Sequence, residues 1–116
     1  MAEVLTNIEE LRGRIDVIDD QLLRLLNVRV ACAVEVGRLK YEAGLPVYQP
    51  EREAQVLNKV RAAATGLAGP LTAEAVVRIF ERIIDEARRA ERAASGHGDG
   101  PGPSVEERAD TERAES

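Results

Sequence analysis

The stretch TNIEELRGRIDVIDDQLLRLLNVRVACAVEVGRLKYEAGLP, residues 6–46, decides the fold. Its apolar positions step by three and four without a slip: Ile8, Leu11, Ile15, Ile18, Leu22 and Leu25, then Arg29, then Cys32, Val36 and Leu39. That is a heptad seam along one helix face with a single arginine set into it. Thr6 followed by Glu9 reads as a capping-box start, and Gly44 then Pro46 as a stop, so the spacing predicts one helix of about 36 residues. At 1.5 Å per residue it would run roughly 54 Å, about twice the ~25 Å diameter of a compact domain of about 90 residues. An ordinary monomeric globule cannot cover such a helix, so a second copy of the chain is expected to pack along it.

Outward from that helix the signals are shorter. Pro50 at a first helical position and Gly66 past the end frame a second helix of about 15 residues. Thr72 opens a third, AEAVVRIFERIIDEARRAER, which is expected to fade through Ala93, Ala94, Ser95 and Gly96. No repeat with a period of roughly 20 to 50 residues is present, which excludes a solenoid. The expectation is an all-α chain of three helices over residues 1–94. Residues 95–116 are expected to be a disordered acidic tail: Gly96 to Pro103 is Gly, Pro, His and Asp only, and almost nothing after it is apolar. A solvated helix from Val105 to Ala114 is the alternative there.

Composition agrees. In 116 residues there are two Tyr, one Phe and no Trp, which favours helices over a β-sandwich or barrel in one small domain. The net charge is -5, from 16 basic and 21 acidic residues. Residues 93–116 carry -4 of it, which leaves the helical part nearly neutral. An acidic surplus excludes a general binder of nucleic acid or anionic membranes, since both demand a basic footprint. One cysteine makes no internal disulfide, and with the lone His97 it makes no zinc site. No apolar run approaches the roughly 20 residues of a membrane span, and no basic-then-apolar leader opens the chain. A soluble, cytoplasmic α-protein in a reducing compartment, without a metal, is expected.

Several charged residues stand out against this frame. Arg29 interrupts the seam; taken alone, it is also explained as a register-setting polar residue paired with a neighbouring helix. Lys40, eleven residues on, lies about 20° away around the helix and roughly 16 Å along it, so both long side chains can lean toward one pocket. Arg12 lies about 25 Å from Arg29 and about 100° around. It reaches that pocket only from an antiparallel copy in a dimer; otherwise it is a surface charge. Gln49 sits at an N-cap-like position before Pro50, with Arg52 and Glu53 in the first turn, where backbone N–H groups face outward. Glu53 is also explained by the helix dipole alone. In the third helix Val76, Phe80, Ile83, Ala87 and Glu91 form one stripe, which Glu91 ends either with a functional carboxyl group or by emerging into solvent. Gly37, inside the first helix, costs roughly 1 kcal/mol relative to Ala, which points to a close approach of backbone or substrate.

LRGRIDVIDDQLLRLLNVRVACAVEVGRLK, then GLPVYQPERE, then IFERIIDEARRAE together resemble the all-helical chorismate mutase family over nearly all of residues 5–92. The carrying pattern is LRxxID, an Arg before AVEVGxxK, and a Pro followed six and seven residues later by Arg and Glu. The resemblance implies an intertwined homodimer of three helices per chain, with two active sites that each take an arginine from the other subunit. By position, Arg12 would be the lent arginine and Arg29 the one that binds a carboxylate from within the chain. Lys40 would contact a carboxylate and the ether oxygen of the breaking bond. Glu53 would accept the hydrogen bond of the substrate's ring hydroxyl, with Arg52 at the pocket edge. Glu91 falls where members carry Gln or Glu, the second donor to the ether oxygen. Two positions depart from the commoner pattern: Gln49 replaces an Asp near the ring hydroxyl, and Ala87 stands where Ser is frequent.

The implied chemistry needs little machinery. Chorismate to prephenate is a unimolecular [3,3] rearrangement without nucleophile, net proton transfer or cofactor. The protein must hold a flexible dianion in a chair-like geometry and stabilise negative charge growing on the ether oxygen. Arg12, Arg29 and Lys40 answer the carboxylates; Lys40 and Glu91 answer the oxygen. An ionised carboxylate only accepts hydrogen bonds, so Glu91 must carry its proton to donate, a state that burial favours. The same scaffold serves isochorismate-pyruvate lyases and mutases of 4-amino-4-deoxychorismate, and some short family members are activated by a partner enzyme. From another class, the chain could be a helical dimerisation module without catalysis. Arg29 and Glu91 weigh against that, since Leu at both would stabilise a purely structural seam.

Overall fold

The computed structural model describes residues 1–99, with side chains through Gly96. The described chain is three helices: α1, Ala2–Ala43; α2, Pro50–Gly66; and α3, Ala73–Asp99. With 42 residues, α1 is the long axis of the molecule, whose extents are 62 × 28 × 22 Å.

The ends of the helices explain where they start and stop. α1 does not begin at Thr6. Met1 is its N-cap, without a side-chain hydrogen bond, and the Leu5 N–H donates to the Met1 carbonyl at 3.1 Å. Thr6 and Glu9 therefore lie inside the helix, and the capping box goes unused. Extending a formed helix gains one hydrogen bond for each residue ordered, and nothing in Ala2 to Leu5 opposes it. At the other end Gly44 takes the left-handed conformation (φ 72°), with its N–H on the Tyr41 carbonyl and the Leu45 N–H on the Lys40 carbonyl at 2.8 Å. This Schellman closure reverses the chain sharply and sends Val47 back over the last turn of α1.

α2 starts at Pro50 as expected, with Gln49 in extended conformation as its N-cap and the Arg52 N–H on the Gln49 carbonyl at 3.1 Å. Thr72 caps α3 through its hydroxyl, which accepts the Ala75 N–H at 3.0 Å. α3 runs past the expected fade at Gly96 and reaches Asp99. A glycine in a helix costs about 1 kcal/mol and does not by itself end one. Of the tail expected over residues 95–116, the first five residues belong to α3, and the remainder, including the alternative helix over Val105 to Ala114, lies outside the described residues.

α3 packs against both α1 and α2 and forms the centre of the molecule. It provides most of the small core, Ala87 from the expected stripe and Val77 from next to it, joined by Ala64 of α2; Val76 and Ile83 are half-buried. α1 engages only through its last third, where Arg29, Val30, Ala33, Val34, Gly37 and Lys40 are half-buried. Every residue from Ala2 to Val28 is exposed, the seam included: Leu11 at 53%, Ile15 at 52%, Leu22 at 51% and Leu25 at 66%. About 40 Å of helix thus projects past the packed part with its apolar face uncovered. No helix among the described residues is long and apolar enough to cross a membrane.

Candidate active site

One stripe from each helix meets in a cavity of about 300 Å³ at the packed end of the molecule. α1 contributes Arg29, Ala33, Gly37 and Lys40, on one face at three- and four-residue steps, with Cys32 and Val36 beside them. The turn and the start of α2 bring Val47, Gln49, Arg52, Glu53 and Val56. α3 closes the cavity with Ile84, Ala87, Arg88 and Glu91. The structure therefore assembles seven of the eight residues singled out in the sequence around one space.

Arg12 is the eighth, and it is elsewhere. Its side chain is 70% exposed on the projecting part of α1, 3.7 Å from Glu9. Seventeen residues of helical rise separate it from Arg29 within the chain, about 25 Å.

The cationic side chains are steered by neighbours. The Arg29 guanidinium stands over the Phe80 ring of α3 at 5.9 Å, within cation–π range, so the seam arginine is turned toward α3. Lys40 Nζ donates to the Val47 carbonyl at 3.3 Å, a contact made available by the reversal at Gly44. Glu91 is half-buried beside Gly37: a Cβ built on that glycine would meet the Glu91 carboxyl carbon at 3.7 Å, ordinary contact. The close approach expected at Gly37 is thus with Glu91, and it leaves room for a methyl group. Glu91 faces the cavity instead of emerging from the packed helices.

Arg88 was not anticipated. It donates a hydrogen bond to Glu53 across the α2–α3 contact, and its second terminal nitrogen lies 3.6 Å from Asp85. The hydrogen bond to Glu53, the larger effect, and the charges of both carboxylates raise the Arg88 pKa above its ordinary value, outweighing burial. Its sequence signal was its place three residues before Glu91 and four after Ile84, which sets it on the cavity face of α3. Cys32, exposed, also borders the cavity.

Arg29, Lys40, Arg52 and Arg88 face Glu53 and Glu91, four cations against two carboxyl groups. Even with both acids ionised the wall keeps a surplus of two positive charges, suited to a small dianion. Apolar side chains complete the wall, and Ala87, 4% exposed, forms an apolar floor where a serine would have offered a hydroxyl. No group of three or more His, Cys, Asp or Glu among the described residues could hold a metal ion.

Known proteins resemble the chain in sequence and in fold. The chorismate mutase of Thermus thermophilus (form II) superposes with a TM-score of 0.68 at 34% identity, covering 74% of this chain and 94% of that one. A bifunctional chorismate mutase/prephenate dehydratase of Aquifex aeolicus is 37% identical over 89 residues, 76% of this chain and 25% of that protein. The Methanocaldococcus jannaschii chorismate mutase is 33% identical over 58 residues, half of this chain and 59% of that one. The chain spans about a quarter of the length of the bifunctional relative. The family model described as chorismate mutase type II matches residues 11–92, from Leu11, the second position of the heptad seam, to the turn of α3 that carries Glu91. With that match laid over a cavity built from the same helices, the chain belongs to the chorismate mutase type II family.

Proposed function

We propose that this chain is a chorismate mutase, an isomerase that converts chorismate to prephenate without a cofactor. The carrying observation is the cavity that unites Arg29, Lys40, Arg52 and Arg88 with Glu53 and Glu91, a surplus of two positive charges even with both acids ionised. Arg29, held by Phe80, takes one carboxylate. Lys40 takes a carboxylate and the ether oxygen, and protonated Glu91 donates to that oxygen from the α3 side. As the C–O bond breaks, charge grows on the oxygen between these two donors, and loss of one such donor typically costs about 3 to 4 kcal/mol in the transition state. Glu53 and Gln49 border the ring substituent. Val36, Val47, Val56 and Ile84 line the same space, an apolar wall against which the folded, chair-like conformer would be held.

The proposed active unit is a homodimer. Its support is the uncovered seam of α1, since contiguous apolar surface of this extent is rare on a monomer. Antiparallel pairing of two α1 helices, centred between residues 20 and 21, sets Arg12 of one copy level with Arg29 of the other. Each cavity then gains a fifth cation from the second copy.

Purified protein incubated with chorismate, isochorismate and 4-amino-4-deoxychorismate, with products resolved by chromatography, tests the reading. Prephenate from chorismate is expected. Pyruvate and salicylate from isochorismate, with no prephenate, would assign the scaffold to the lyase reaction, and no turnover of any of the three would leave a binding or dimerisation module. Gln49 in place of an acid makes the amino-substituted analogue the second substrate to examine; the Glu53–Arg88 pair disfavours it.

A further inference from the structure

Arg88 is a charged group on the cavity wall that the mutase chemistry does not employ. Its side chain is 26% exposed and that of its partner Glu53 is 28% exposed, so the pair is largely shielded from water. The guanidinium forks between Glu53 of α2 and Asp85 one turn back on α3. This places a fixed cation directly against the carboxylate that would meet the ring substituent of a bound substrate.

We infer that Arg88 is a specificity-determining residue: as the counter-cation of Glu53, it makes the substituent end of the cavity select a hydroxyl group over an ammonium group. The inference rests on the mutase reading and goes beyond it, to which substituted dianion the site takes. A carboxylate has about four lone-pair positions, so Glu53 can accept from Arg88 and still accept from a hydroxyl. An ammonium depends instead on the net charge it meets. Here that charge is offset by Arg88, which Glu53 shares with Asp85, and by Arg52 one residue from Glu53, a second cation on the same wall. Gln49 contributes a neutral amide where an acid would have restored the attraction. The overall balance points the same way. Chorismate carries two negative charges, whereas 4-amino-4-deoxychorismate carries a net of one, and a wall with a surplus of two suits the former.

The alternative role for Arg88 is a strap that joins α2 to α3. The two roles separate in a ratio of specificities. Wild type, Arg88→Gln, Arg88→Leu and Arg88→Lys are each assayed for kcat/KM on chorismate and on 4-amino-4-deoxychorismate, with helicity checked by circular dichroism. Wild type should prefer chorismate. Arg88→Gln, which keeps a polar amide donor but removes the charge, and Arg88→Leu should each narrow that preference by about tenfold or more, chiefly by lowering KM for the amino compound. Arg88→Lys should keep most of it. A strap alone would scale both substrates alike, so an unchanged ratio in Arg88→Gln overturns the inference, as does a wild type that prefers the amino compound or an Arg88→Lys chain that behaves like Arg88→Gln. A wild type that turns over neither substrate removes the mutase reading itself, an outcome distinct from normal chorismate turnover with an unmoved ratio.

Discussion

A carboxyl group donates a hydrogen bond only while it holds its proton, so under the proposed mechanism turnover depends on the protonation of Glu91. The kcat/KM profile should fall as pH rises toward and beyond neutrality. A Glu91→Gln chain, whose amide donates at every pH, should have a flatter profile, and one that tracks wild type across pH 5 to 9, a range of about four units, sinks this role. Phe80 acts one step back, on Arg29. Phe80→Leu keeps an apolar side chain but removes the ring face, and a cation–π contact of about 0.5 to 2 kcal/mol predicts a roughly 2- to 30-fold loss in kcat/KM, mainly through KM. A pure kcat effect in steady-state assays would speak against it. Arg29 was legible because a charge in an unbroken apolar seam needs a reason, and Glu91 because it ends an apolar stripe. Arg88 was not, because the charged residues Glu86, Arg88 and Arg89 around Ala87 read as a solvated face until α2 is seen to place Glu53 against them.

Among the elements, capping signals were unequally informative. Gly44 and Thr72 mark real helix ends because each supplies a conformation or an acceptor that the terminus otherwise lacks. Thr6 and Glu9 have the capping-box spacing, yet nothing before them breaks a helix and α1 passes through. Removal of the Thr72 hydroxyl should therefore matter where removal of the Thr6 hydroxyl does not: Thr72→Ala is expected to cost about 1 kcal/mol in chemical denaturation, and Thr6→Ala close to nothing. Equal costs would contradict the observed caps. The exposed ion pairs of α1 add a pH dependence of their own. Glu35, hydrogen-bonded by Arg38, has its pKa lowered below the ordinary 4.5. Its contribution to helix stability is present above that ordinary value and is lost as pH falls through the lowered one.

At the scale of the whole molecule, the dominance of one very long helix could be read from one periodic stretch, because a 3.5-residue repeat sustained that far admits no other element, although α1 begins at Ala2, ahead of the expected start. How a partner helix would lie along the seam could not be read, since a heptad pattern alone does not fix the orientation of its partner. The shared-site proposal is testable without a structure of the assembly. Arg12→Ala and Arg29→Ala chains should each be nearly inactive, and after mixing with subunit exchange about a quarter of the sites should be intact, the statistical limit for an isologous dimer. No recovery, with exchange verified by mass, argues against a site built from two chains. The cavity wall has one further consequence, for how this protein can change over time. Nearly all of its chemistry lies on helix faces, with only Val47 and Gln49 on a turn. One residue inserted between Arg29 and Lys40 would twist them apart by a further 100° or so and lengthen their separation by about 1.5 Å. New specificities are therefore to be reached by point substitution in register, while the insertions and deletions that diversify loop-built sites are closed to it.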